Sequence, residues 1–178
     1  MHISICGELG AGCTELGHIL SQKLGIDCVN SADLVKMLMT NFGEDFGDFE
    51  GHLRSGEVDM DKMIGGKIEE MLMVGETIVE GRSAFMLLEN KGTFKVFLVA
   101  PQTNRAEHIA KTRNITVKEA LEAIQASDTE RRHMVERLFK KDRLNPHNYD
   151  LVINTATRSH EETANLIAKI AQKKPSSK

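Results

Sequence analysis

The chain has 178 residues, 40% of them hydrophobic, a length that suits one domain with a sizeable core and excludes a fibre or a disordered tail. Its 26 acidic and 23 basic side chains leave a net charge of −3, which excludes a general affinity for duplex DNA or an acidic bilayer but lets local basic residues meet one small anion. No apolar run approaches the ~20 residues of a membrane span and no secretory leader is visible, so a cytoplasmic protein with neither membrane nor nucleic-acid polymer as partner is expected.

His2-Ile3-Ser4-Ile5-Cys6 is short, β-branched and followed at once by glycines, as a buried parallel strand begins. From Thr14 to Leu24, apolar residues recur at three- and four-residue steps and Gly25 supplies a stop, which predicts an amphipathic helix. A weak strand follows over Ile26 to Asn30, and Ser31 is placed to cap the helix carrying Leu34, Val35 and Leu38. Asn41 to Gly56, with its four glycines and three phenylalanines, reads as short mobile helices and turns. Helix is expected again from about Val58 to Val74, with Gly65-Gly66 weakening it. Met60, Met63, Met71 and Met73 read as adaptable packing there.

Thr77-Ile78-Val79 is a strand running into Glu80-Gly81-Arg82, and Lys95 to Val99 is another, stopped by Pro101. Helices are expected over about Asn104–Thr112 and Val117–Lys140, then a strand over Asp150–Ile153 and a closing helix. Strands alternating with helices imply a parallel sheet covered on both faces. No repeat or linker divides the chain, so residues 1–172 read as a single domain, with 173–178 a loose tail.

Gly7-Glu8-Leu9-Gly10-Ala11-Gly12-Cys13-Thr14 carries the most chemistry. Set between a strand and a helix, it matches the Walker A frame, with Gly7 first, Gly12 sixth and Thr14 last, where a hydroxyl would ligate Mg²⁺. Glycines let the backbone approach an anion, and the following helix adds its positive end. Cys13 stands where the frame has lysine, the residue that reaches the β/γ-phosphates. The alternative is a turn serving only tight strand-to-helix packing. A dinucleotide fingerprint is discounted, because the glycines fall as G-x-x-G-x-G rather than G-x-G-x-x-G.

Ligands of open parallel sheets bind beyond the carboxyl ends of the strands. Glu80 is therefore a candidate to hold Mg²⁺ through water, and Arg82 to grip a phosphate, against the plain reading of a capped turn. Asp128-Thr129-Glu130-Arg131-Arg132 interrupts the long helical pattern with stacked charge. In a phosphoryl-transfer enzyme Arg131 and Arg132 would belong to a mobile segment neutralising transition-state charge; otherwise the run is a solvated helix face. Cys6, Cys13 and Cys28 cannot all pair and form no Cys/His zinc spacing, so they read as reduced structural thiols, Cys13 included.

With these phrases in order, the sequence resembles the cytidylate kinases, particularly the short archaeal and cytidylate-kinase-like branch. The resemblance covers nearly the whole chain: Gly7 to Thr14, Lys23-Leu24-Gly25, Ser31-Ala32-Asp33, Val79 to Arg82, Ala100-Pro101 before Arg105-Ala106-Glu107, Asp128-x-x-Arg131, and Asn148 to Thr155. It implies an α/β P-loop nucleoside monophosphate kinase fold, a five-stranded parallel sheet of order 2-3-1-4-5 with helices on both faces. It also implies transfer of the ATP γ-phosphoryl group to CMP or dCMP with Mg²⁺, by a monomer or homodimer. Carried over, Gly7 to Thr14 would cradle ATP, Ser31, Asp33, Asp59 and Arg82 would bind the acceptor, and Arg131 and Arg132 would lie in the lid. Residues 31–75 would be the acceptor segment and 113–145 the lid. Cys13 departs from the usual lysine, although some cytidylate-kinase-like members also lack it. Ser83 departs from the aspartate of bacterial members, and Thr112 and Arg113 straddle the place of the lid's first basic residue. Two functions therefore stand: a nucleoside monophosphate kinase, or a P-loop nucleotide-binding protein without transfer.

Overall fold

The computed structural model describes residues 1–41 and 59–172; the expectations for 42–58 and for the tail lie outside the described residues. Five parallel strands, β1 (His2–Gly7), β2 (Asp27–Val29), β3 (Thr77–Glu80), β4 (Thr93–Val99) and β5 (Leu151–Asn154), stand in the order β2-β3-β1-β4-β5. This is the order 2-3-1-4-5 that the resemblance implied. β1 is central, with Ile3 beside Ile78 on one side and Phe94 on the other.

The pleat divides the core. Ile3 and Ile5 join Phe94, Val96 and Leu98 on the face covered by α1 (Cys13–Leu24) and α6 (His160–Ala171). Cys6, Val79 and Phe97 face the opposite way, against α2 (Ser31–Asn41), α3 (Met60–Val74) and α5 (Val117–Phe139). Strands buried on both faces read as near-continuous apolar runs, as β1 and β4 do. A smaller cluster of Ala106, Ile109, Ala120 and Ile124 joins α4 (Gln102–Arg113) to α5.

Two expectations need correction. The cap of α2 is Asn30 rather than Ser31: Asn30 Oδ1 accepts from the amides of Ala32 (2.8 Å) and Asp33 (3.0 Å), and Asp33 returns a bond to the Asn30 amide (3.1 Å). The Ser31 hydroxyl accepts instead from the Ser83 amide (3.1 Å) and hydroxyl (2.8 Å), joining α2 to the end of β3. The helix expected before β3 is present as α3, which runs unbroken through Gly65-Gly66 from its Asp59 cap, with Ile64 and Ile68 buried against the core. Met60, Met63 and Met71 pack as expected, but Met73 is 89% exposed at the end of that helix.

α1 lies unusually close to β3. A Cβ at Gly17 would meet Cys28 Sγ at 2.9 Å and the Glu80 side chain at 3.3 Å. Phe97 anchors the other face, stacked on Tyr149 with ring centroids 4.6 Å apart and tilted against Phe85 at 6.3 Å. Phe97→Ala should lower the unfolding free energy by about 3–5 kcal/mol in urea titration; a loss under ~1 kcal/mol would mean the ring is not part of the core.

Candidate functional site

The turn from β1 into α1 folds back on itself through Ala11 N–H to Glu8 C=O (3.0 Å), while the Glu8 amide donates to Leu98 C=O (3.1 Å). Gly10 and Gly12 adopt φ of 86° and 90°, a region closed to most side chains. Gly12 also lies under the His160 imidazole, which a Cβ there would strike. α1 starts at Cys13, so the amides of Cys13, Thr14 and Glu15 have no intrahelical acceptor and carry the positive end of the helix. Such a concave row of donors holds phosphate oxygens.

The turn is held from below by charge. Arg105, 6% exposed, donates from Nε to Ala100 C=O (3.1 Å) and from Nη1 to Leu9 C=O (3.1 Å) and Asp128 Oδ2 (2.8 Å). Asp128 Oδ1 accepts from the Leu9 amide (3.4 Å) and lies 3.5 Å from Nη2 of buried Arg143. Glu8 Oε2 accepts from the Ala100 amide (3.3 Å) and lies 3.7 Å from Arg105 Nε. Both polar groups of Leu9 are thus fixed by α4 and α5.

Above this base a cleft of about 260 Å³ opens between the turn, α4 and α5. Glu8, Leu9, Gly10, Gly12, Cys13 and Thr14 line it, with Glu80 and Gly81 from the end of β3, and His108, Thr112, Arg113 and Arg131 from the helices. The structure therefore brings the turn, Glu80 and Arg131 together, and both Thr112 and Arg113 to the same wall. Arg132 is not with them. It is exposed and turned to the other side of α5, beside Glu136, Lys140 and Lys141, because adjacent helical residues point about 100° apart. The charge run does not interrupt α5, which is one helix of 23 residues.

Thr14 Oγ1 donates to Glu80 Oε1 at 3.2 Å. Burial raises the Glu80 pKa from its ordinary value, and the Thr14 bond opposes the rise. Two oxygen donors side by side suit a Mg²⁺ ion, which keeps several waters and takes its remaining oxygens from substrate phosphates. Among the described residues no three His, Cys, Asp or Glu side chains cluster as a metal cage. Burial pushes the Cys13 thiol up to about 12, so at neutral pH it is a small uncharged filler rather than a thiolate.

A second cleft, of about 630 Å³, adjoins the first past Gly81. Ser31, Asp59, Arg82, Ser83, Asp61 and Arg137 supply its polar groups, and Met60, Met86 and Met134 part of its apolar wall. Asp33 is absent from this lining; its carboxylate is spent on the Asn30 amide. Arg137 pairs with Asp61 and Arg82 lies 3.7 Å from Glu130, so α5 is tied to both α3 and the end of β3. Asp61, Arg137 and Arg143 escaped the sequence reading, and Arg105 entered it only within a family phrase. The three-residue step from Asp128 to Arg131, continued by buried Met134 and Val135, was the available sign that this stripe of α5 faces inward.

Removing Asp128 takes a carboxylate partner from two buried guanidiniums, Arg105 and Arg143, so Asp128→Ala should cost about 3–5 kcal/mol in urea titration; a loss under ~1 kcal/mol would show that Asp128 does not hold the turn. Because the folded state raises the Glu80 pKa, the ionised carboxylate weakens folding as pH rises from the unfolded value through the folded one. Glu80→Gln should therefore melt higher than the native chain at pH 8 and lose that advantage below about pH 4. An advantage that is flat with pH would refute the strained carboxylate.

Residues 2–157 match the model of the cytidylate kinase-like family. A cytidylate kinase of Methanopyrus kandleri is 27% identical over 174 residues, covering 93% of this chain and 90% of that protein. One of Methanothrix thermoacetophila is 30% identical over 155 residues, covering 87% and 88%. Among solved structures, an uncharacterized protein from Eubacterium ventriosum superposes with a TM-score of 0.73 at 16% identity, covering 98% of this chain and 99% of its own. A shikimate kinase from Acinetobacter baumannii in complex with shikimate gives 0.57 at 16% identity, covering 97% and 94%. At that identity these two speak for the fold alone. Matched over most of its length, with a glycine turn at the exit of the central strand, the chain belongs to the cytidylate kinase-like family.

Proposed function

We propose that the chain is an ATP-dependent nucleoside monophosphate kinase that transfers the γ-phosphoryl group to CMP or dCMP. The observation that carries this reading is the partition of the β3 exit. Glu80 and Gly81 line the cleft of the glycine turn, while Arg82 and Ser83 line the adjoining one. A donor triphosphate on the turn and an acceptor monophosphate at Arg82 would meet across Gly81, as in-line transfer requires. The relatives named cytidylate kinase support CMP or dCMP as acceptor.

In this reading residues 31–75 receive the acceptor and 113–145 form the lid of a single kinase domain spanning 1–172. The amides of Cys13, Thr14 and Glu15 bind the triphosphate, Arg82 orients the acceptor phosphate, and Arg131 adds positive charge where charge develops. Ser31 and Asp59 position the acceptor nucleoside. Asp33 serves indirectly, by holding the start of α2. Arg132 has no part, given its place on the far side of α5. Mg²⁺ held through Thr14 and Glu80 would neutralise phosphate charge. A second reading, nucleotide binding with weak or no transfer, rests on Cys13 in the lysine position.

ADP release, coupled to a reporter enzyme and run with CMP, dCMP, UMP and AMP, separates the two. Turnover fastest with CMP or dCMP is expected; ATP binding without turnover on any acceptor would favour the second reading. Arg82→Ala should raise the acceptor KM by about 10–100-fold, the loss of a charged hydrogen-bonding partner, while leaving the KM for ATP within about threefold. An unchanged acceptor KM would remove Arg82 from that role.

A further inference from the structure

The glycine turn has no cation of its own, yet a guanidinium stands beside the position where one is missing. We propose, building on the kinase reading, that Arg131 supplies to the bound triphosphate the standing positive charge that Cys13 does not. Its work thus includes ground-state ATP binding, not only the transfer step.

Arg131 lines the cleft of the turn together with Cys13 and is absent from the lining of the acceptor cleft, whose arginines are Arg82 and Arg137. Its Nε and Nη1 are buried and meet no acceptor among the described residues. Buried donors left unanswered are costly, and phosphate oxygens in this cleft answer them. The neighbouring carboxylate is already taken, because Asp128 is held by Arg105 at 2.8 Å and Arg143 at 3.5 Å. Arg105 and Arg143 share Asp128, with Glu8 beside Arg105, while Glu80 faces Arg131 across the cleft without a hydrogen bond to its Nε or Nη1. Burial draws the Arg131 pKa down from its ordinary value, the response of a cation whose surroundings do not fully compensate it.

The same geometry explains the cysteine. A lysine at position 13 would bring an ammonium up to a guanidinium, and the two would have to share the Glu80 carboxylate that faces both positions. A small neutral thiol leaves Arg131 its place. A lysine at position 13 and Arg131 are therefore alternatives for one task, and substitutions at the two positions are coupled.

Calorimetric titration with the magnesium complex of a non-hydrolysable ATP analogue tests this on four proteins: native, Arg131→Gln, Cys13→Lys and the double variant, each shown folded by its melting curve. Arg131→Gln should weaken binding at least about tenfold, and adding Cys13→Lys to it should bring the affinity back to within about fivefold of native. Cys13→Lys alone should gain much less than it does in the Arg131→Gln background. Should Arg131→Gln not fold, Arg131→Lys replaces it and is expected to bind within about fivefold of native; a tenfold or larger loss there would count against the charge. Native affinity in Arg131→Gln, or no recovery in the double variant, overturns the assignment while leaving the kinase reading intact. No heat from the native chain overturns both.

Discussion

The site depends on one buried contact, the bridge from Arg105 to Asp128 beneath Leu9. Arg105 takes the Leu9 carbonyl and Asp128 takes the Leu9 amide, so one residue of the turn is clamped between two helices. A buried ion pair of this kind contributes little net stability once desolvation is counted. Its value is geometric. With Leu9 fixed, the amides that follow it point into the cleft before any ligand arrives, and preorganised donors need no rearrangement when charge appears.

The same bridge positions the far wall. Asp128 and Arg131 are three residues apart on α5, so the contact that steadies the turn also sets where the Arg131 guanidinium stands. Arg137 and Glu130 extend the ties from α5 to Asp61 and Arg82. One helix therefore borders both clefts, and β3 ends between them. The two clefts are related through two regular elements rather than through loops, which favours precise placement of the groups that line them.

Much of this was legible in the sequence. The strands, the α1 stop at Gly25 and the turn follow from short-range patterns, because neighbouring residues decide whether a segment pleats, coils or reverses. The partners of the turn were not legible. Leu9 and Asp128 are 119 residues apart, and nothing local tells which carboxylate of a charged helix faces inward. For that reason Arg131 and Arg132 looked equivalent until the helix phase separated them. Ser31 looked like a cap because serine often is one; Asn30, one residue earlier, took the post, and Ser31 turned to Ser83. Arg105 was visible only as part of a family phrase, since a buried arginine and a solvated one look alike in a charged helix.

The close approach of α1 to β3 has a consequence for the oxygen pair at the mouth of the first cleft. Thr14 rides on α1 and Glu80 on β3, so the gauge between those two elements sets the gap between hydroxyl and carboxylate. That gauge is set three residues downstream of Thr14, where Gly17 presents bare backbone to Cys28 and Glu80. One methyl at this point would act as a shim, prising the helix from the sheet and widening the aperture between two oxygens to which a small hard ion would be sensitive. The spacing of the Thr14–Glu80 corner is thus machined into a residue that supplies neither oxygen.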